Sequence, residues 1–151
     1  MLKTSRYMYT ARINNDMTDP RLLGDVAEQK FILLCMQKGI NIYKPLNSNS
    51  RVDFIIELQG QCKRVQIKYR SMFDGKLSLS ATKQQNGRDK ALKYSATEID
   101  LFLVYEPSTD QFYNIPMHMY DTNRVNIFRI DAPKNGQCKG VKYLKDYLLQ
   151  I

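Results

Sequence analysis

The stretch 51-RVDFIIELQGQCKRVQIKYR-70 contains two strand-like runs on either side of Gln59-Gly60. A tight turn at Gly60 predicts a hairpin with arms over about 52–58 and 62–70. Two charged residues break its apolar pattern. Asp53 heads the first run, and Lys68 stands between Ile67 and Tyr69 in the second. Side chains alternate across a strand, so Gln66, Lys68 and Arg70 share one face while Val65, Ile67 and Tyr69 take the other. Counted symmetrically about Gly60, Asp53 falls level with Ile67 and Lys68. An acid and an ammonium are therefore expected together at the open end of the hairpin, beside the polar loop "LNSNSR". Each has a plain explanation when taken alone. Asp53 suits a turn carboxylate paired with Lys68, a contact worth under ~1 kcal/mol at an exposed site. Gln-x-Lys occurs on many exposed strand faces.

Outward from the hairpin, the preceding segment "TDPRLLGDVAEQKFILLCMQKG" predicts a helix. Thr18 or Asp19 can cap it, Pro20 suits its first turn, and Gly39 suits the position after its last. Leu22, Leu23, Val26, Ala27, Phe31, Leu34 and Cys35 form its apolar stripe. Gly24 weakens it, which points to close packing or to the approach of a ligand. Glu28 lies one turn after Gly24 and reaches toward the open end of the hairpin. "INIYKP", "KLSLSAT", "QFYNIPM" and "RVNIFRI" read as further strands. "IDLFLVYE" has the unbroken apolar character of a strand buried on both faces. "KQQNGRDKALKYSATE" reads as a loop or short helix, and "GVKYLKDYLLQI" as a closing amphipathic helix. The expected class is a mixed α+β fold, with an N-terminal helix, a central mixed sheet carrying the hairpin, and flanking helices. Residues 1–17 read as an arm, and 18–151 as a single domain.

The chain has 151 residues, of which 43% are hydrophobic and 25% charged, as in an ordinary soluble domain. No run is long enough for a membrane helix. The N-terminal segment lacks the apolar core of a secretory signal, so a cytoplasmic protein is expected, although its basic character also fits a transit arm. Three cysteines without a C-x-x-C pair and a single histidine argue against a zinc site or a disulfide framework. No G-x-S-x-G elbow accompanies His118, which disfavours a serine-hydrolase triad. Within residues 60–93, nine cations face only Asp74 and Asp89, so this segment carries +7 of the net +8. Lys76, Lys83, Arg88, Lys90 and Lys93 belong to this excess, as do Lys68 and Arg70. Its natural partner is a polyanion, because each neutralised phosphate releases condensed counterions. No RNP-like aromatic signature points to RNA.

The order helix Glu, strand Asp, hairpin, Gln-x-Lys matches what phosphodiester hydrolysis needs. Carboxylates with backbone or amide oxygens make a hard oxygen site for Mg²⁺. A neighbouring lysine orients water and offsets charge on the phosphate. The arrangement resembles the PD-(D/E)XK nuclease superfamily. That resemblance matches Asp53 to the first acid, Gln66 to the second acid position, Lys68 to the lysine and Glu28 to the helix acid. It also matches the Ile67 carbonyl to a metal ligand. Val52 stands where the motif proline would be. Gln66 stands where an acid is usual, so its amide oxygen becomes a further candidate ligand. Some members with Gln there are active, whereas others with damaged motifs are not.

Within the superfamily, "GDVAEQKF", "RVDFII", "VQIKYR", "IDLFLVY" and "FYNIP" are most similar to the small homing endonucleases of cyanobacterial group I introns. The spacing agrees too: 25 residues from Glu28 to Asp53 and 13 more to Gln66. The likeness spans roughly residues 18–118. It implies a site-specific endonuclease that makes double-strand breaks in duplex DNA with Mg²⁺, Mn²⁺ substituting. It further implies a homo-oligomer, at least a dimer and by analogy a dimer of dimers. Arg70, Lys76, Lys83, Arg88, Lys90 and Lys93 are the expected DNA contacts. The alternatives are a Holliday-junction resolvase of the same fold and a catalytically inactive DNA-binding module.

Overall fold

The computed structural model describes residues 19–47, 49–79, 94–120, 125–133, 136 and 139–151. The expected N-terminal arm lies outside the described residues. Helix α1 runs Pro20–Gln37. The Asp19 side chain caps it by accepting the Arg21 N–H at 2.9 Å. At its other end Gly39 takes φ +66°, and the N–H groups of Gly39 and Ile40 close onto the carbonyls of Met36 and Cys35. This is a Schellman motif, which needs a residue that tolerates the left-handed region.

The strands are β1 (Ile42–Tyr43), β2 (Phe54–Leu58), β3 (Gln61–Tyr69), β4 (Lys76–Leu79), β5 (Leu101–Glu106), β6 (Gln111–Asn114), β7 (Asn126–Arg129) and β8 (Lys142–Tyr143). Five form a sheet in the order β1-β2-β3-β5-β6, and three form another in the order β4-β7-β8. The sheet is mixed because β3 and β5 run parallel while β2–β3 and β5–β6 run antiparallel. Gln59 and Gly60 both have positive φ (+51° and +74°), the signature of a two-residue type I′ turn.

Strand β5 shows why this sheet is the centre of the molecule. Leu103 and Tyr105 pack with Ala27, Phe31 and Cys35 of α1, together with Phe54, Val65 and Ile67. Phe102 and Val104 point the other way and pack with Leu77, Leu79 and Phe128 of the second sheet. The protein is therefore layered as helix, five-stranded sheet, three-stranded sheet. Alternation on a strand covered on both sides gives an almost continuous apolar run, as "IDLFLVYE" has. Phe31 is fully buried, with its ring against those of Phe54 and Phe112. Truncation to alanine there costs roughly 3–5 kcal/mol.

Two expectations are corrected. Leu22, placed in the buried stripe of α1, is 41% exposed; only Ala27, Phe31 and Cys35 of that stripe are fully covered. These lie at i, i+4 and i+8, a line narrower than the apolar stripe, so one flank of the helix is left open. The closing segment 140–151 is no amphipathic helix. Lys142 and Tyr143 pair in parallel with Phe128 and Arg129, and a single 3₁₀ turn follows at Leu144–Tyr147. Leu148 and Leu149 then join the edge of β6 through Tyr113 and Phe112. A helix this short is marginal without tertiary support, and Val141, Tyr143, Tyr147 and Ile151 have weak helix propensity. The two sheet edges offer backbone partners that the helix would have forgone.

Candidate active site

Strand β2 begins at Phe54, and its pairing with Val65 fixes the register. Extended by one residue, it places Asp53 opposite Gln66 rather than Ile67 or Lys68. The turn has two residues, so the centre of symmetry falls between Gln59 and Gly60 and not on the glycine. The Asp53 N–H still donates to the Val65 carbonyl at 2.8 Å. Its Oδ2 then accepts the Ile67 N–H at 2.7 Å, so the carboxylate continues the ladder where the strand ends. Gln66, 6% exposed, donates from Nε2 to the same Oδ2 at 2.5 Å and to the Ile67 carbonyl at 3.1 Å.

Burial pushes the Asp53 carboxyl up to about 6, and the Glu28 charge adds to the rise. The Ile67 N–H, Lys68 and Lys44 oppose it. Lys68 is half-buried, and burial lowers its ammonium below the usual lysine range despite the nearby Asp53 charge. No ion pair joins it to Asp53; its Nζ instead lies 5.4 Å from the centre of the Tyr94 ring. An acid held up and an amine held down, on adjacent strands, mark a site in which desolvation outweighs pairing.

Glu28 comes from α1 and is bound to Lys44, which donates from Nζ to Oε2 at 2.8 Å. Sequence reasoning missed Lys44. It stands just after β1 and owes its place to a pairing across sixteen residues of chain, for which "IYKP" carries no signal. Tyr94 was missed likewise. Its buried ring supports Lys68 and also Arg51, whose guanidinium lies 4.8 Å from the ring centre. Arg51 in turn pairs with Glu98 at 2.7 Å, tying the loop before Asp53 to the turn before β5.

Among the expected DNA contacts, Arg70 is exposed at the end of β3, with one guanidinium N–H on the Tyr69 carbonyl at 2.9 Å. Lys76 lies on the second sheet, paired with Asp74 at 3.4 Å. Lys83, Arg88, Lys90 and Lys93 lie outside the described residues. The Asp53 carboxylate, the Glu28 carboxylate, the Ile67 carbonyl and the Gln66 amide are all oxygen donors, the chemistry Mg²⁺ prefers. Among the described residues no three His, Cys, Asp or Glu side chains gather to hold a metal. Here the third position belongs to an amide, so the donor set fits a hard cation with only two charges to offer.

A model of the PD-(D/E)XK endonuclease family matches residues 18–150. The chain belongs to that family. The solved structure of a bacterial homing endonuclease, I-Ssp6803I, has the same PD-(D/E)XK-type fold, with a TM-score of 0.66 at 20% sequence identity. The likeness covers 86% of this chain and 88% of that one. A search of curated proteins finds no significant match. In PD-(D/E)XK nucleases generally the metal is divalent, in keeping with the oxygen donors here. Among the described residues, no helix is long and apolar enough to cross a membrane.

Proposed function

We propose that this PD-(D/E)XK protein is a site-specific DNA endonuclease of the homing type, cutting both strands of a duplex with Mg²⁺. One observation carries the reading. At the open end of the hairpin, the oxygens of Asp53 and Ile67 lie beside a desolvated Lys68, with the Glu28 charge acting on Asp53. Asp53, Glu28 and the Ile67 carbonyl would hold Mg²⁺ (or Mn²⁺), which supplies countercharge at the scissile phosphate and acidifies a bound water.

The remaining work falls to the chain's own groups. Lys68 directs its ammonium at the attacking water and at a non-bridging phosphate oxygen. Held half-buried over Tyr94, that charge interacts more strongly than it would in open water. Gln66 supplies an amide oxygen once its NH₂, now turned toward Asp53 and the Ile67 carbonyl, rotates away. Lys44 releases Glu28 and becomes free for a phosphate. Arg70 and Lys76, with Lys83, Arg88, Lys90 and Lys93, serve as the DNA contacts. One chain carries one such site, so breaking both strands calls for at least a two-fold dimer. A dimer of dimers is the assembly the homing resemblance favours.

The position of the Gln66 NH₂ favours a second reading, that of a DNA-binding module without cleavage. That NH₂ donates to Asp53 Oδ2 and to the Ile67 carbonyl, two of the oxygens that would hold a cation. One experiment separates the readings: incubate the protein with Mg²⁺ and a library of long duplex DNA, then sequence any new ends. A single recurrent site supports the endonuclease. Retained binding without ends establishes the inactive module, and cutting confined to a parallel four-way-junction sample establishes a resolvase.

A further inference from the structure

Gly24 stands in the interior of α1, where glycine weakens a helix relative to alanine. Nothing in the fold asks for it. It is not among the positive-φ glycines, and a Cβ built on it meets no heavy atom within 4 Å. Close packing of the helix on the sheet, one of the two explanations the sequence allowed, is thereby removed. The space in front of it is an open groove of about 430 Å³. Pro20, Leu23 and Gly24 line one wall, and Lys68, Arg70 and Ser71, at and just past the end of β3, line the other. None of the lining residues is acidic. Glu28 is one turn further along α1, on the same side as Gly24. The groove therefore leads from the Asp53–Lys68 site along the first turns of the helix.

We propose that Gly24 is a positioning residue for the DNA. Its missing side chain lets the sugar–phosphate backbone lie against α1, beside the phosphate addressed by Lys68. The occupant is a DNA strand because one wall carries the cations Lys68 and Arg70 and the Ser71 hydroxyl, no lining residue is a carboxylate, and the groove opens onto the candidate site. A methyl at position 24 holds that strand off the helix and displaces the scissile phosphate from Lys68. Misplacement by about 1 Å is enough to cost on the order of 10²-fold in rate. The inference rests on the endonuclease reading above.

The test compares wild type, Gly24→Ala, Gly24→Leu and Gln29→Ala, an exposed control on the same helix. Three quantities are measured: thermal midpoint, binding to sheared genomic DNA in Ca²⁺, and single-turnover cutting in Mg²⁺ of the duplex recovered from the library. Gly24→Ala raises the midpoint by about 3 °C, since alanine is the better helix former and meets no clash. It also weakens binding by about tenfold and slows cutting on the order of a hundredfold, with Gly24→Leu worse on both counts. Gln29→Ala leaves binding and cutting unchanged. A Gly24→Ala protein that binds and cuts like wild type overturns the proposal, as does one whose midpoint falls, because the fold would then need the glycine. If wild type neither binds nor cuts, the endonuclease reading itself fails and takes this inference with it.

Discussion

Two carboxylates flank strand β3 at the same end of the central sheet, and they behave in opposite ways. Glu106 closes β5 and is completely buried. Burial would push its carboxyl up. Donors from Ser108 (2.7 Å), the Thr109 N–H (2.8 Å) and the Met72 N–H (3.2 Å) more than offset that, and hold it below the usual range. Asp53 on the other side of β3 is only half-buried, yet its carboxyl rises to about 6. Burial raises both groups, and the donors that answer it decide the direction. Glu106 is surrounded by N–H and O–H groups that favour its charge, and it ties the β5–β6 turn to the segment after β3. Asp53 has one backbone donor, one amide, and Glu28 as a neighbour. A carboxylate left short of partners is costly to the fold and available to a cation.

The largest expected effect is on chemistry at the under-partnered end. Lys68→Ala should slow cutting by on the order of 10²–10³-fold. Its thermal midpoint should be unchanged or slightly higher, because a half-buried ammonium is removed. Single-turnover cutting within tenfold of wild type would reduce Lys68 to a cation resting on Tyr94.

Next comes the well-partnered carboxylate. Glu106→Ala removes the buried acceptor of the Met72 and Thr109 N–H groups and leaves a cavity, and should cost about 3 kcal/mol in denaturant unfolding. Cutting per folded molecule should change by only a few-fold. Severe loss of cutting with stability intact would erase the contrast between the two acids.

Asp53→Asn should move stability the other way. An acid whose folded carboxyl sits near 6, against 3.8 ordinarily, binds its proton more tightly when folded. Its contribution is therefore fully present below about pH 4 and is lost as pH rises through 6. The asparagine variant lacks that loss, and at pH 7 should be more stable by up to about 3 kcal/mol. The gain should vanish by pH 4, while metal-dependent cutting is abolished. Equal stabilities of the two proteins from pH 4 to 8 would show that folding leaves the Asp53 carboxyl at its ordinary value.

Much of this was legible in the sequence, where local rules govern. Asp19, Pro20 and Gly39 delimit α1, and Gln59-Gly60 sets the hairpin, because caps and turns depend on a few adjacent residues. The doubly buried β5 was legible from its apolar run. What failed was decided at long range. The closing segment became sheet edge because β6 and β7 were there to pair with it. The partner of Asp53 shifted from Lys68 to Gln66 through a half-residue difference in the centre of the turn. Lys44 and Tyr94 came to the site through contacts that no local pattern encodes.

Glu28 lies between the two extremes, and its partner gives the smallest and most discriminating effect. Lys44 holds it at 2.8 Å, but the lysine side chain is 63% exposed and that of the glutamate 23%. An ion pair this open contributes roughly 0.2–1 kcal/mol, so Lys44→Ala should barely alter unfolding. Its consequence for a cation is different. The ammonium of Lys44 occupies an oxygen of Glu28 and also lies in the field of Asp53, so a divalent ion must compete with it for both. Removing that competitor should tighten Mn²⁺ binding, measured by calorimetry without DNA, by roughly two- to fivefold, the equivalent of the pair's own energy. Weaker Mn²⁺ binding would show that Lys44 aims Glu28 at the site instead of guarding it. A loss of several kcal/mol in unfolding would place Glu28 with Glu106, as a carboxylate whose partner serves the fold.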